Sequence, residues 1–315
     1  MTKPRGLSNK AYATLPTERV LAAAEGLDTF PAKRIVSLLA SEEERSVRAV
    51  NRVAARIARA ARTCARSLED GGRIVYVGAG TSGRLAALDA AECPPTFGVR
   101  PSQVVAVVAG GPRALRRAVE GAEDRGDDAV RALTKLRLGP KDTMIAIAAS
   151  GVTPFARAAL LFARHASVPS ILITCAPMAA RAGGARADLV IGLDVGPEVI
   201  AGSTRLKAGT ATKITLNAIS TTAMVLLGKC YGPRMVDLRA GSAKLRARAQ
   251  RIVVEVGQVP GDRADDLLAA AHGNAKIAIV MARLGVSRKE AEVLLHQSAG
   301  RLRRLLGPKV PRRRP

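Results

Sequence analysis

The chain has 315 residues, 48% of them hydrophobic, which is enough to bury a substantial core and to form two or three structural units. Its apolar runs are far too short to span a bilayer and its first thirty residues lack the apolar stretch of a signal peptide, so the default expectation is a cytoplasmic protein. The formal charge of +24 raises nucleic-acid binding, but aromatics make up only 2% and the arginines are scattered through an Ala-rich background, which argues against specific nucleic-acid recognition.

Residues 1–14 read as a disordered tail, and Thr17 to Leu68 shows a helical pattern in which Val47, Val50, Val53, Ile57 and Ala61 recur at helix spacing. Gly71-Gly72 ends that helical region. Short β-type runs then alternate with amphipathic stretches: Arg73 to Val77, Val104 to Ala109, Thr143 to Ala148, Ser170 to Cys175 and Leu189 to Leu193. This alternation predicts an α/β fold, a parallel sheet flanked by helices on both faces. A long apolar helix is expected from Lys207 to Leu227. After Tyr231-Gly232-Pro233, residues Ala243 to Leu306 read as about four short helices interrupted by Gly257, Pro260, Gly273 and Gly285. Residues 308–315 form a basic, Pro-containing tail expected to be disordered. Cys64, Cys93, Cys175 and Cys230 are far apart, with no Cys-x-x-Cys pair and only three histidines in the chain. They fit free buried thiols rather than a metal site or a disulfide framework.

In such a sheet, ligands bind beyond the carboxyl ends of the strands, where loops converge. The first of these loops, Gly78-Ala-Gly-Thr-Ser-Gly83, fits Gly-x-Gly-x-x-Gly. A nicotinamide site would place an acidic residue at the end of the second strand, yet that strand closes as Val107-Val-Ala-Gly-Gly111, so the dinucleotide reading falls away. Thr81 and Ser82 beside Gly80, and Ser150 and Thr153 flanking Gly151, can instead hold a phosphate with hydroxyls and helix-start amides. Ser and Thr are also favoured as ordinary helix caps, so it is the presence of two such loops on neighbouring strand ends that points to a phosphate. Gly202-Ser203-Thr204 precedes Arg205 and Lys207, cations that would sit poorly at a positive helix N-terminus unless an anion were present. Glu92 stands just ahead of Pro94-Pro95, a break that would hold it near a loop. Glu120 and Glu123 are three residues apart, a spacing that puts them on one helical face. Beside a phosphate cradle these carboxylates offer a general acid and a general base.

Four strings make the chain recognisable: Gly78-Ala-Gly-Thr-Ser-Gly-Arg84, Leu88-Asp-Ala-Ala-Glu-Cys-Pro-Pro-Thr-Phe97, Ala118-Val-Glu-Gly-Ala-Glu-Asp124 and Gly202-Ser-Thr-Arg-Leu-Lys-Ala-Gly-Thr-Ala211. From about Glu43 to Leu306 the chain resembles the N-acetylmuramic acid 6-phosphate etherases and, more distantly, the glucokinase regulatory protein, both of which carry a sugar isomerase (SIS) domain. The resemblance implies a flavodoxin-like SIS fold over residues 71–235, preceded by helices at 15–70 that pack on it and followed by a small helical C-terminal unit at 236–307. It also implies a homodimer with active sites near the subunit interface, and cleavage of a lactyl ether on a sugar 6-phosphate without metal or organic cofactor. By the same resemblance Glu92 and Glu123 are the catalytic pair. Gly80, Thr81, Ser82, Ser150, Gly151 and Thr153 would hold the phosphate. Ser203, Thr204 and Arg205 complete the pocket, and Glu120 contacts a sugar hydroxyl or assists ring opening. A non-catalytic sugar-phosphate sensor is the alternative from a different class, and the presence of both glutamates favours catalysis. Three positions depart from the family pattern. Thr17-Glu-Arg-Val20 stands for Thr-Glu-x-Arg-Asn-Pro, Val152 stands where an Arg is usual, and Ser242-Ala-Lys-Leu245 stands for Asn-Glu-Lys-Leu.

Overall fold

The computed structural model describes residues 15–182, 184, 186–238 and 243–307. The tails expected at 1–14 and 308–315 lie outside these described residues. Three 3-10 turns, Pro16–Glu18, Ala22–Ala24 and Leu27–Thr29, open the chain. Only then do α1 (Ala32–Arg52) and α2 (Ala54–Glu69) follow, so the helical region expected from Thr17 starts fifteen residues late. The reason lies in Pro16 and Pro31, which pin the backbone away from a continuous helix, and in Gly26, which adopts φ +75° between two of the turns.

Among the described residues, β1 (Ile74–Gly78), β2 (Val104–Val108), β3 (Thr143–Ile147), β4 (Ser170–Thr174) and β5 (Leu189–Gly192) form one sheet in the order β2-β1-β3-β4-β5. Every pairing is parallel, with Ile74 opposite both Val104 and Thr143. This is the flavodoxin-like order, whose crossover at β1/β3 puts a crevice at the carboxyl ends of those strands. The alternation of side chains divides the core. Val75, Val77, Met144, Ala146 and Leu172 join one cluster with Leu133 of α4 (Gly126–Lys135) and with Phe155, Ala159 and Ala163 of α5 (Pro154–His165). On the other face Tyr76 donates to Asp89 of α3 (Gly80–Phe97) at 2.7 Å, and Thr143 bonds Ser67 of α2 at 2.7 Å. Asp89 is 4% exposed and also accepts from Asn217 and Ser220 of α7 (Lys207–Leu226). Three neutral donors thus satisfy a carboxyl that could not otherwise be buried.

The starts of β1 and β3 are clamped by Asp142, which accepts from the backbone amide, Nε and Nη2 of Arg73 at 2.9, 3.0 and 2.7 Å. Burial alone would raise the Asp142 carboxyl, but the bonds from Arg73 and Gly139 outweigh it and hold the group below its ordinary range. Burial pushes the thiols of Cys64 and Cys175 up to about 12; none of the four cysteines is in a disulfide, and three of them are buried as expected while Cys230 is only half-buried. No helix among the described residues is long and apolar enough to cross a membrane.

Contacts divide the chain into two compact units, 1–91 with 102–220, and 92–101 with 221–315. The first holds the sheet together with α1 and α2, and α6 (Pro177–Ala182) is the short helix between β4 and β5. In the second, the hairpin β6 (Cys230–Tyr231) and β7 (Arg234–Met235) accompanies α8 (Ala243–Gly257), α9 (Gly261–Ala270), α10 (Ala275–Leu284), α11 (Arg288–Gln297) and α12 (Leu302–Leu306). Val253, Val256, Leu267, Ile279, Val280 and Leu302 form its core. The breaks expected at Gly257, Pro260, Gly273 and Gly285 fall at helix ends. Asn274 caps α10 through the Ile277 amide, and Ser287 with Glu290 forms a capping box on α11. Lys276 is buried in this unit and is held by the carbonyls of Gly228 and Gly300, both at 2.9 Å, and by Asp237 at 2.8 Å.

Candidate active site

A cleft of about 340 Å³ opens in the first unit at the carboxyl ends of β1, β2 and β3. Gly80, Thr81 and Ser82, the first residues of α3, line it, and so do Ser150 and Thr153 ahead of α5. Two helix N-termini therefore converge on one space, each bringing unpaired amides and a positive dipole end. Thr153 occupies the N-cap position of α5 but makes no side-chain capping bond, so its hydroxyl is free of the role that would explain it without a ligand. Among the described residues, the Ser150 hydroxyl accepts only a long bond from the Val152 amide, at 3.4 Å.

The close fit of α3 against β1 fixes where those amides sit. A Cβ at Gly83 would stand 2.7 Å from the Gly78 carbonyl oxygen and 2.7 Å from Cγ1 of Val108. Only a glycine lets the helix start so near the strand, the third position of the Gly-x-Gly-x-x-Gly pattern.

Glu120 and Glu123 both line the cleft. They do so from a loop and the 3-10 turn Ala122–Asp124, not from the helix their spacing predicts. Gly121, with φ +68°, turns the chain there, and the i to i+3 relation of a 3-10 turn still brings the two side chains to one side. Thr204 and Gly202 line the cleft from the loop ahead of α7. Three contributors are not among the site residues expected from the sequence. Arg84, inside the first string, lines the cleft and donates from Nε to the Ala114 carbonyl at 2.9 Å. Thr17 and Glu18 reach it from the N-terminal segment. The only signal for them in the sequence is the Thr-Glu pair that survives there from the family pattern. Among the described residues, the charged side chains on the cleft are thus Arg84, Glu18, Glu120 and Glu123, a local excess of carboxylates in a strongly basic chain.

Other expected residues lie elsewhere. Gly151, Ser203 and Arg205 are not on the cleft wall, and Arg205 is exposed to solvent. Of the two cations after Gly202, Lys207 is already paired within the chain. Lys207 is 1% exposed and pairs with Glu42 of α1, while the first amides of α7 donate to Glu198 at 3.0 and 2.9 Å. The anion at that helix start is the protein's own carboxylate. Burial pushes Glu198 upward, and the two amides and Lys207 work against that shift. Val152 is 2% exposed and forms no part of the cleft wall. Glu92 is exposed and does not line the cleft. The helix does not stop at Pro94-Pro95: α3 runs through both to Phe97, because two prolines in a final turn remove only two internal bonds. Glu92 lies twelve residues beyond Gly80, about 18 Å along the helix at its normal rise.

The model of the glucokinase regulatory protein N-terminal SIS domain matches residues 56–164. An N-acetylmuramic acid 6-phosphate etherase of Glaesserella parasuis serovar 5 (strain SH0165) is 42% identical over 295 residues, which cover 94% of this chain and 96% of that relative. The chain belongs to the N-acetylmuramic acid 6-phosphate etherase family. A member from Rhodopirellula baltica (strain DSM 10527 / NCIMB 13988 / SH1) is 44% identical over 292 residues, 93% of this chain and 96% of its own length. Among solved structures, a phosphoheptose isomerase from Neisseria gonorrhoeae is 15% identical with a TM-score of 0.44, covering 61% of this chain and 97% of that one. The departures from the etherase pattern just after Thr17-Glu18 and at Val152 fall on residues that do not line the cleft.

Proposed function

We propose that this chain is an N-acetylmuramic acid 6-phosphate etherase, a carbon–oxygen lyase that forms N-acetylglucosamine 6-phosphate and D-lactate during reuse of cell-wall amino sugars in the cytoplasm. The observation that carries the reading is the make-up of the cleft wall: two helix starts with Thr81, Ser82, Ser150 and Thr153, together with carboxylates at Glu120 and Glu123. The first suits a phosphate dianion, and the second suits proton transfer to and from a sugar.

In the opened aldehyde form of the substrate, the C1 carbonyl acidifies the C2 proton. A carboxylate removes that proton, a carboxylic acid protonates the ether oxygen at C3, and the C3–O bond breaks to release lactate. Water then adds to C3 of the unsaturated aldehyde, and the proton at C2 is returned. The two carboxyl groups must begin in opposite protonation states, so their surroundings must differ. Glu123 serves from within the cleft. Glu92, exposed and absent from the cleft lining, is supplied by a second copy. Its neighbours Leu88, Ala91 and Pro95 are exposed on the same stretch of helix, an apolar setting suited to a subunit contact.

The test incubates the purified protein with N-acetylmuramate 6-phosphate and measures D-lactate. Wild type should release it, and Glu123→Gln and Glu92→Gln should each lose on the order of a hundredfold or more in kcat. Mixing the two inactive variants as exchanged dimers should restore activity toward about a quarter of wild type, because each heterodimer rebuilds one complete site. Absence of lactate from a wild type that binds the sugar phosphate sinks the etherase reading, and failure of the mixture sinks the shared site.

A further inference from the structure

The cleft has a third carboxylate that neither Glu120 nor Glu123 accounts for. Glu18 stands on a strap, residues 15–21, tied down at both ends by Leu15 and Leu21, which are 3% and 8% exposed. Between these anchors the Pro16–Glu18 turn is closed by the Glu18 amide on the Leu15 carbonyl at 3.0 Å. The Gly202 amide donates to the Thr17 carbonyl at 2.8 Å, which joins the strap to the loop that also carries Thr204. Thr17, 5% exposed, donates from its hydroxyl to Oε1 of Glu18 at 3.1 Å. That bond orients the carboxylate, which stays exposed to solvent. Oε2 lies against Gly202, where a Cβ would stand 2.9 Å from it, and makes no hydrogen bond among the described residues.

An ionised carboxylate only accepts hydrogen bonds, and it repels a phosphate. A carboxylate held on the wall of a sugar-phosphate cleft must therefore face the part of the ligand that donates. We infer that Glu18 is a specificity-determining residue that accepts a hydrogen bond from a hydroxyl or amide N–H of the bound amino sugar. The inference rests on the sugar-phosphate reading of the cleft. It also accounts for the build of the strap, in which Thr17 and Gly202 set the position of the carboxylate while Leu15 and Leu21 hold both in place.

Titration calorimetry of the full chain with inorganic phosphate and with N-acetylglucosamine 6-phosphate separates the possibilities, using wild type, Glu18→Gln and Glu18→Ala. Glu18→Ala should weaken the sugar phosphate by roughly 10- to 100-fold, the range for losing a hydrogen bond to a charged group, while leaving inorganic phosphate unchanged or tighter. Glu18→Gln keeps the shape of the strap and should lie between wild type and Glu18→Ala for the sugar phosphate alone. Gly202→Ala, with every carboxylate intact, should reproduce the selective loss by displacing Oε2. Sugar-phosphate affinity within about twofold of wild type in Glu18→Ala overturns the inference. So does a parallel loss for both ligands, which would make the strap merely structural. Because binding is read without turnover, a wild type that prefers the sugar phosphate yet releases no lactate defeats the etherase reading and leaves the Glu18 result standing on its own.

Discussion

Replacing Gly83 by alanine tests the link between the packing of α3 and the capacity to hold a phosphate. The added Cβ would meet the Gly78 carbonyl oxygen and Cγ1 of Val108, both at 2.7 Å, where ordinary contacts begin at 3.4 Å. The backbone oxygen cannot swing aside, so the first turn of α3 must withdraw from β1 by about 0.7 Å. Overpacking of this kind costs about 1–3 kcal/mol, offset by about 1 kcal/mol because alanine is the better helix former. A net loss of up to about 2 kcal/mol lowers the melting temperature by up to roughly 8 °C in a body of this size. The same withdrawal carries the amides of Gly80, Thr81 and Ser82 away from their place, and phosphate affinity should fall about tenfold. Differential scanning calorimetry and phosphate titration on the same preparation read both effects. A variant that melts within about 1 °C of wild type and binds phosphate equally well would refute the claim that this close approach positions the cradle.

The buried pair of Lys207 and Glu42 gives an asymmetric expectation. Arg45 also reaches Glu42, at 3.2 Å, so Lys207→Met leaves the carboxylate with a partner, whereas Glu42→Leu removes the carboxylate that Lys207, 1% exposed, pairs with directly. Urea denaturation should show a loss of about 3–5 kcal/mol for Glu42→Leu, less than half of that for Lys207→Met, and substantial recovery in the double variant. Additive losses would contradict the pairing. Asp142, held below its ordinary value of 3.8, binds a proton less readily folded than unfolded. Its contribution is therefore present above about pH 4 and is lost as pH falls through the depressed folded value. Asp142→Asn should cost about 2 kcal/mol at pH 7 and flatten the acid limb of a stability profile measured from pH 2 to 7. Profiles that stay parallel down to pH 2 would remove Asp142 from acid sensitivity.

The strands are legible in the sequence because each is largely buried and rich in β-branched residues. All five strands of the parallel sheet overlap the runs read from the sequence, differing by at most one residue at either end. The loops of the cleft are legible because two Gly- and hydroxyl-bearing turns recur at neighbouring strand ends, where one alone would read as a helix cap, and Gly80, Thr81, Ser82, Ser150 and Thr153 do share one cleft. The segment from Thr17 misleads because apolar spacing does not register what Pro16, Gly26 and Pro31 do to the backbone. Lys207 misleads because charge at a helix start looks the same whether its counterion is a ligand or the protein. Glu42 is 165 residues away in sequence, and no local pattern could announce it.

Residue types at short spacing are enough to specify a parallel α/β sheet, a phosphate-type cradle at its first and third strand ends, and a pair of glutamates matched to the etherase family. Local chemistry constrains all of these. Which carboxylates share the cleft is settled by long-range packing instead. Folding brings Glu120, Glu123 and the distant Glu18 together, turns Lys207 inward to Glu42, and leaves Glu92 far along α3. In each case a helix's rise or a buried counterion, set by residues far away in sequence, limits what a side chain can reach.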